Sequence, residues 1–106
     1  MDFMMYRMML ACAGGFSTSM LVTSMRKAAQ KKGLEVIIDA KPESDLEPGM
    51  EADWDIILLG PQIGHMEDSL QKQFKIPVRT INQLDYGMMN GAKVLQDAIE
   101  LIKAGK

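Results

Sequence analysis

Four short apolar segments alternate with longer amphipathic ones along the chain. Short continuous apolar runs that end at glycine or proline are typical of strands buried on both faces of a parallel sheet. They predict strands over residues 6–11, 34–38, 56–59 and 76–81. The fourth contains Pro77, which cannot donate to a sheet ladder, and Arg79, which interrupts its apolar run. We therefore expect that strand at an edge of the sheet.

Between these segments, apolar residues recur every three or four positions, as on one face of an amphipathic helix. One helix is predicted from Ser17 to its terminator Gly33, a second from Ile63 to Phe74, and a third after Asn90. Residues 41–53 are polar and contain two prolines and a glycine, with room for one helical turn at most, near residues 44–46. Alternating strands and helices predict an α/β fold of three layers, αβα, with one domain over residues 1–106.

The first and third predicted strands are the most apolar and belong at the centre of the sheet. This gives an open four-stranded parallel sheet of order 2-1-3-4 with helices on both faces. The chain reverses its direction of travel across the sheet between these two strands. Ligands of open α/β sheets bind beside the carboxyl ends of the strands at such a switch. The loops predicted to meet there are residues 12–19 and 60–62.

Composition removes several function classes. The 106 residues carry 12 basic and 14 acidic side chains, and no basic cluster lies beside aromatic residues, so no nucleic-acid partner is predicted. The longest uncharged stretch, residues 8–25, is broken by glycines and hydroxyl residues, so we expect neither a spanning helix nor a signal peptide, and no direct membrane insertion. One cysteine and one histidine allow neither an internal disulfide nor a zinc site, and the compartment is expected to be reducing.

The loop after the first predicted strand carries the candidate chemistry. It consists of Cys12, Ala13, Gly14, Gly15, Phe16, Ser17, Thr18 and Ser19. Free backbone N–H groups and the dipole at the following helix N-terminus favour an anion, while the glycine pair lets amides turn inward and the hydroxyls add donors. We therefore expect a phosphate-binding loop. The same positive end favours the thiolate form of a thiol at the mouth of the loop, so Cys12 is a candidate nucleophile for phosphorus.

The same residues also allow a purely structural interpretation. Cys12 would then be a small buried apolar residue at a strand end, and Ser17 an ordinary helix cap. The thiol, the glycine pair and the three hydroxyls at the predicted switch favour the chemical interpretation. Neither the Walker A spacing nor G-x-G-x-x-G is present, which weakens a nucleotide site.

Three segments together resemble one known family. They are residues 12–19, Leu59-Gly60-Pro61-Gln62, and the run Asp85-Tyr86-Gly87-Met88-Met89-Asn90-Gly91. They resemble the lactose/cellobiose (chitobiose) family of enzyme IIB components of the bacterial phosphoenolpyruvate-dependent sugar phosphotransferase system. The resemblance covers residues 6–103 with strands and helices in the same order. The chain departs from the family at Phe16, where small or aliphatic residues are usual, and at Gly64-His65, where a bulkier residue followed by tyrosine is usual.

The resemblance implies a cytoplasmic phosphotransferase that carries a phosphoryl group. Cys12 matches the family's cysteine, which takes the group from a phosphohistidine of enzyme IIA and passes it to a sugar held by the membrane permease, enzyme IIC. Residues 13–19 match the loop that wraps the phosphate. The resemblance further implies no cofactor apart from the covalent phosphoryl group on Cys12, no metal, and recruitment to the inner face of the membrane by the permease. The implied sugar is a β-disaccharide similar to cellobiose, chitobiose or lactose.

Two alternatives remain open. The strand, cysteine loop and helix also resemble low-molecular-weight protein tyrosine phosphatases, whose loop reads C-x₅-R. The sixth residue after Cys12 is Thr18, so the guanidinium that would clamp phosphate and stabilise the transition state of hydrolysis is absent. Arsenate reductases on this scaffold need further cysteines. The other alternative is a non-catalytic phosphate-binding interaction module, which needs no thiol.

Weaker candidates lie outside the cysteine loop. Those predicted to line the cleft or contact a partner are Pro61, Gln62 and Tyr86. A packed aromatic is the alternative for Tyr86. His65 is expected at the surface rather than as a general base, and Asp85 is expected to form an Asx turn. Met88 and Met89 are expected to fill the core, with a partner-facing surface as the alternative.

Overall fold

Four parallel strands form the centre of the structure. A computed structural model of the chain describes residues 5–13 and 16–105, and only the backbone of residues 16–18. The strands are β1 (Met5–Cys12), β2 (Glu35–Pro42), β3 (Ile56–Leu59) and β4 (Val78–Thr80). The helices are α1 (Phe16–Lys32), α2 (Glu67–Gln73), α3 (Gln83–Gly87) and α4 (Gly91–Ala104), with 3₁₀ segments at Glu43–Asp45, Met50–Ala52 and Pro61–Met66. The sheet order is β2-β1-β3-β4, as the sequence predicts, with β4 at an edge.

The two central strands send alternate side chains into two cores. Met8 and Leu10 of β1 face the core formed with α1 and α4, and Met9 and Ala11 face the core formed with α2 and the segment before β3. All four side chains are 0% exposed. Burial on both faces explains why the sequence of β1 is a continuous apolar run rather than an alternating one. The three-layer αβα prediction is confirmed.

Helix α1 contacts the start of α4 through one serine and one glycine. The Ser24 hydroxyl donates to the Met89 carbonyl at 2.9 Å and accepts from the Gly91 amide at 3.1 Å. A Cβ built at Gly91 would lie 2.4 Å from the Ser24 carbonyl carbon, so only glycine lets the two backbones approach this closely. Met89 has a φ of +53° in the short turn between α3 and α4. This contact ties α1, whose N-terminus faces the carboxyl edge of the sheet, to α4.

Several boundaries differ from the sequence prediction. Residues 41–53 contain two 3₁₀ segments, where one helical turn at most is predicted. Strand β1 begins one residue earlier and ends one residue later than predicted. Strand β2 runs on to Pro42, because its polar second half still pairs with β1 up to Cys12. The predicted helix from Ile63 to Phe74 is broken: Ile63 has φ −116° and ψ 21°, a 3₁₀ segment covers Pro61–Met66, and α2 covers only Glu67–Gln73. Strand β4 spans three residues, half the predicted run.

Helix α3 and its cap are absent from the sequence prediction. The Asn82 side chain accepts from the amides of Leu84 and Asp85 and starts this five-residue helix. The Asx-type contact therefore belongs to Asn82, and the structure gives Asp85 no such turn among its described contacts. A helix this short has too few residues to show a hydrophobic period.

An ion pair lies where the parallel strands begin, at the end of the sheet that we call the amino edge; the end where the strands finish is the carboxyl edge. The Arg7 guanidinium contacts the Asp55 carboxylate at 3.1 Å, and the Arg7 backbone amide donates to the same carboxylate at 2.9 Å. A second guanidinium nitrogen donates to the Ala52 carbonyl at 3.3 Å. The hydrogen bond to Asp55 is the main cause of a raised Arg7 pKa. The pair fixes the segment that enters β3 against the start of β1.

Candidate functional site

The carboxyl ends of β1 and β3 lie side by side, as the predicted switch requires. Ala11 is opposite Leu59, and the Gly60 amide donates to the Ala11 carbonyl at 2.8 Å. One step further along each strand, Cys12 is therefore beside Gly60. The reversal between β1 and β3 in the strand order makes this the switch point of the sheet.

Cys12 is the last residue of β1 and is 3% exposed. Strand alternation places its side chain on the same face as Met8 and Leu10, the face covered by α1 and α4. Ala13, the next residue, is exposed, so the chain reaches the surface directly after the thiol. Helix α1 then begins at Phe16. A thiol at the end of a central strand, four residues before a long helix, has the placement that the phosphate-binding prediction requires.

The predicted phosphate-binding loop is only partly within the described residues. Gly14 and Gly15 lie outside them, as do the side chains of Phe16, Ser17 and Thr18. Of the remaining members, Ala13 and Ser19 are exposed, and the Ser19 carbonyl accepts from the Thr23 hydroxyl at 3.1 Å within α1. Phosphate binding by residues 13–19 therefore stays a prediction. An α-helix leaves the first backbone N–H groups without an acceptor inside the helix, which is the physical basis of that prediction.

The absence of a side chain at Gly60 lets Gln62 approach the backbone next to Cys12. A Cβ built on Gly60 would lie 3.5 Å from the Cys12 Cβ and only 2.8 Å from Oε1 of Gln62. The Gln62 side chain therefore folds back over Gly60 toward the end of β1. The sequence indicates Gln62 only as a cleft or partner contact; the contribution of Gly60 was missed, although a glycine directly after a buried strand is a known sign of close approach.

The other candidates divide between surface and core. Pro61 is half-buried and His65 is exposed in the Pro61–Met66 segment. Tyr86 is 6% exposed and packs in the core under α1 and α4, so the packed-aromatic alternative describes its position. Met89 packs partly against that core, whereas Met88 is 70% exposed. Core filling therefore fails for Met88, which lines a shallow groove of about 540 Å³ with Leu84.

Within residues 5–13 and 16–105, no three acidic, histidine or cysteine side chains group together as metal ligands would. Nor does the described chain contain a helix with the length and apolarity needed to cross a bilayer.

Comparison with known families gives a match over most of the chain. The family described as "PTS system, Lactose/Cellobiose specific IIB subunit" matches residues 7–97. A galactose-specific EIIB component of Lactococcus lactis subsp. cremoris is 41% identical over 100 residues, covering 88% of this chain and 93% of that protein. An oligo-beta-mannoside-specific EIIB component of Bacillus subtilis is 38% identical over 101 residues, covering 92% and 97%.

Comparison with solved structures gives the same family. The cellobiose-specific IIB component of Borrelia burgdorferi superposes with a TM-score of 0.80 at 36% identity, over 99% of this chain and 98% of that one. The lactose-specific IIB domain of Streptococcus pneumoniae gives 0.76 at 18% identity, over 92% and 97%, and supports the fold alone. The resemblance seen in the sequence is thus confirmed across fold and family. The chain belongs to the lactose/cellobiose-specific IIB subunits of the PTS system, phosphotransferase components that act in sugar phosphotransfer.

Proposed function

We propose that Cys12 accepts a phosphoryl group from a phosphohistidine of enzyme IIA and passes it to a sugar held by the permease, enzyme IIC. Subunits of this family work with IIA and IIC partners in general. The observation that carries the proposal is the position of Cys12 at the carboxyl end of a central strand, at the switch point and four residues before α1. It is the only cysteine of the chain.

The proposed chemistry consists of two displacements at phosphorus. In the first, the Cys12 thiolate attacks the phosphoryl group, the S–P bond forms, and the N–P bond to the donor histidine breaks as its imidazole leaves and takes up a proton. In the second, a sugar hydroxyl attacks phosphorus and gives its proton to a base at the permease or to solvent, the O–P bond forms, and the thiolate departs with the S–P electron pair. Backbone amides and the dipole of α1 spread the charge of the transferring group, and each partner completes the site when it docks.

A carrier accounts for the chain better than a hydrolase. The relatives and solved structures reported above are named as IIB components. Thr18 occupies the position where a C-x₅-R phosphatase has its arginine. Without that guanidinium, water attack on the phosphoryl group loses a main source of transition-state stabilisation. A carrier benefits from this loss, because it must hold the group until the next acceptor arrives.

The proposed sugar is a β-disaccharide of the cellobiose, chitobiose or lactose type. The relatives reported above are named for galactose and oligo-beta-mannoside, and the Borrelia burgdorferi structure for cellobiose, so several sugars are served by IIB chains similar to this one. This favours selection of the sugar by the permease rather than by this chain. The same partnership requires Cys12 to reach the inner face of the membrane, and we propose that the permease recruits the protein there from the cytoplasm.

Phosphorylation in a reconstituted system tests the proposal. The chain is incubated with phosphoenolpyruvate, the general phosphotransfer proteins and a cognate IIA, and the modified residue is mapped by mass spectrometry under conditions that preserve thiophosphate bonds. Phosphate on Cys12 that is lost on adding sugar and IIC-containing membranes supports it. Phosphate on His65, or no labelling with an active IIA, contradicts it.

A further inference from the structure

We propose that the Gln62 carboxamide binds the phosphoryl group on Cys12 and stabilises the phosphorylated state of the carrier. The inference rests on the proposed function, since it assigns a role to a residue in the same site. Gln62 lies outside the cysteine loop, in the Pro61–Met66 segment that follows β3. It therefore supplies a contact that the loop and the helix dipole do not provide.

The first support is the arrangement around Gly60. A Cβ built on Gly60 would lie 3.5 Å from the Cys12 Cβ and 2.8 Å from the Gln62 Oε1. The cysteine and the carboxamide therefore both lie next to the same backbone position. Gly60 itself is buried, whereas Gln62 is exposed. Gln62 thus reaches from an exposed position to the buried Gly60, next to Cys12.

The second support is the backbone conformation of Gly60. Its φ of −61° and ψ of 148° lie in the extended region that any L residue adopts. Glycine is therefore not needed at this position for a turn, and the feature it provides is room. A side chain at residue 60 would occupy the place where Gln62 folds back beside Cys12.

The chemistry of a carboxamide fits a carrier. Its NH₂ group offers two donors, and rotation about the terminal side-chain bond brings either the oxygen or the NH₂ to a given point. In the unphosphorylated protein the oxygen faces Gly60; a phosphoryl group on Sγ would be met by the NH₂ group after that rotation. A neutral donor stabilises phosphoryl oxygens less than a guanidinium does, so it holds the group without strongly favouring hydrolysis.

The test compares Gln62→Leu and Gln62→Glu with the wild-type chain. The measured quantity is the equilibrium ratio of phosphorylated chain to phosphorylated IIA, obtained by ³¹P NMR. Gln62→Leu should lower this ratio about tenfold, the equivalent of one hydrogen bond to a charged group. Gln62→Glu keeps the shape but places a carboxylate beside the phosphoryl oxygens, so it should lower the ratio further. Gln96→Leu, at an exposed glutamine of α4, is the matched control and should leave the ratio unchanged.

Gly60→Ala gives a second test, because the result expected in combination with Gln62→Leu differs from the result of a general loss of stability. The added methyl group should push the Gln62 side chain away from Cys12, because the contact would be 2.8 Å. Gly60→Ala alone should therefore lower the phosphorylation ratio, but in the Gln62→Leu background it should cause no further loss. In the wild-type chain, the side-chain NH₂ resonances of Gln62 should shift on phosphorylation while those of Gln96 stay in place.

The outcomes separate this inference from the proposed function. Normal phosphorylation of Cys12 in Gln62→Leu, at the ratio of Gln96→Leu, overturns the role of Gln62 and leaves the carrier function standing. Additive losses in the double variant also overturn it, because Gly60→Ala would then act without Gln62. A wild-type chain that acquires no phosphocysteine overturns the proposed function and this inference with it.

Discussion

The two edges of the sheet are built from different kinds of contact. At the amino edge, the Arg7 guanidinium and backbone amide both bind the Asp55 carboxylate, which is 13% exposed. At the carboxyl edge, the atoms nearest to Gly60 belong to the Ala11 carbonyl, the Cys12 side chain and the Gln62 carboxamide, and none of these groups is a cation. The amino edge uses an ion pair to join strands, whereas the carboxyl edge brings a carboxamide close to the backbone beside a thiol.

This difference suits a carrier that changes charge in each cycle. In the proposed function, a phosphoryl group brings nearly two negative charges to the carboxyl edge and then takes them away. A permanent cation there would stabilise the loaded state and leave an unpaired charge in the empty state, whereas amides and carboxamides tolerate both states. The amino edge sees no such change, so a charged pair can contribute to stability there without affecting transfer.

The largest expected effect is at Cys12. Cys12→Ser should fold with the urea midpoint of the wild-type chain within experimental error and should accept no transferable phosphoryl group from IIA. A serine hydroxyl at the same place is a much weaker nucleophile and is scarcely ionised at neutral pH. Transfer of radiolabel from phosphoenolpyruvate to the chain and then to sugar measures the loss. Sugar phosphorylation by the serine variant would remove the thiol from the mechanism.

Asp55→Ala should lower the free energy of unfolding and leave phosphoryl transfer to Cys12 unchanged, the reverse of the result expected for Cys12→Ser. The variant removes the partner of a half-buried guanidinium and of the Arg7 amide, which should cost about 2 to 3 kcal/mol of unfolding free energy. Asp97→Ala is the control, because its Lys93 pair is exposed on both sides and should change stability by about 0.5 kcal/mol or less. Urea denaturation gives both values. If Asp55→Ala slowed labelling of Cys12 in fully folded protein, the two edges would not be independent.

The sequence predicts the two central strands and the switch point well, and the ends of the outer elements poorly. The central strands could be found because burial on both faces requires continuous apolar runs, and their centrality then located the switch at Cys12. Strand β2 was predicted too short because its outer half, ending at Pro42, is polar and is held only by long-range pairing with β1. The break at Ile63 depends on backbone angles that a repeat of apolar residues does not reveal.

The candidate site shows the same limit. Cys12 could be found from its loop, and Gln62 could be named from its place after β3. The approach of both residues to Gly60 could not be predicted, because it depends on the register of β1 against β3 and on the Gln62 side chain folding back across Gly60. Tyr86 and Met88 show the converse case: neighbouring residues of similar apolar character separate into core and surface only when α3 packs against α4.

Ser19→Ala should have a moderate effect on the carboxyl edge. Ser19 is exposed in the first turn of α1, and its hydroxyl is one of several donors predicted to share the phosphoryl charge. Loss of one such donor costs roughly 1 kcal/mol when water or a neighbouring amide replaces part of it. We expect labelling of Cys12 by IIA to slow a few-fold, measured by quenched-flow sampling. Complete loss of labelling would mean that Ser19 has a role no other donor can take.

The smallest expected effect is gain of hydrolysis in Thr18→Arg. The change restores the C-x₅-R spacing and brings a cation to the edge where the wild-type contacts are neutral. Efficient hydrolysis also needs an acid to protonate the leaving group, and the change to arginine does not supply one. Turnover of an aryl phosphate should therefore stay far below a typical enzyme rate of about 10 per second. Thr23→Arg, on the same helix but away from the loop, controls for added charge alone. Turnover near the typical rate in Thr18→Arg, and not in Thr23→Arg, would show that one missing guanidinium is all that separates this carrier from a phosphatase.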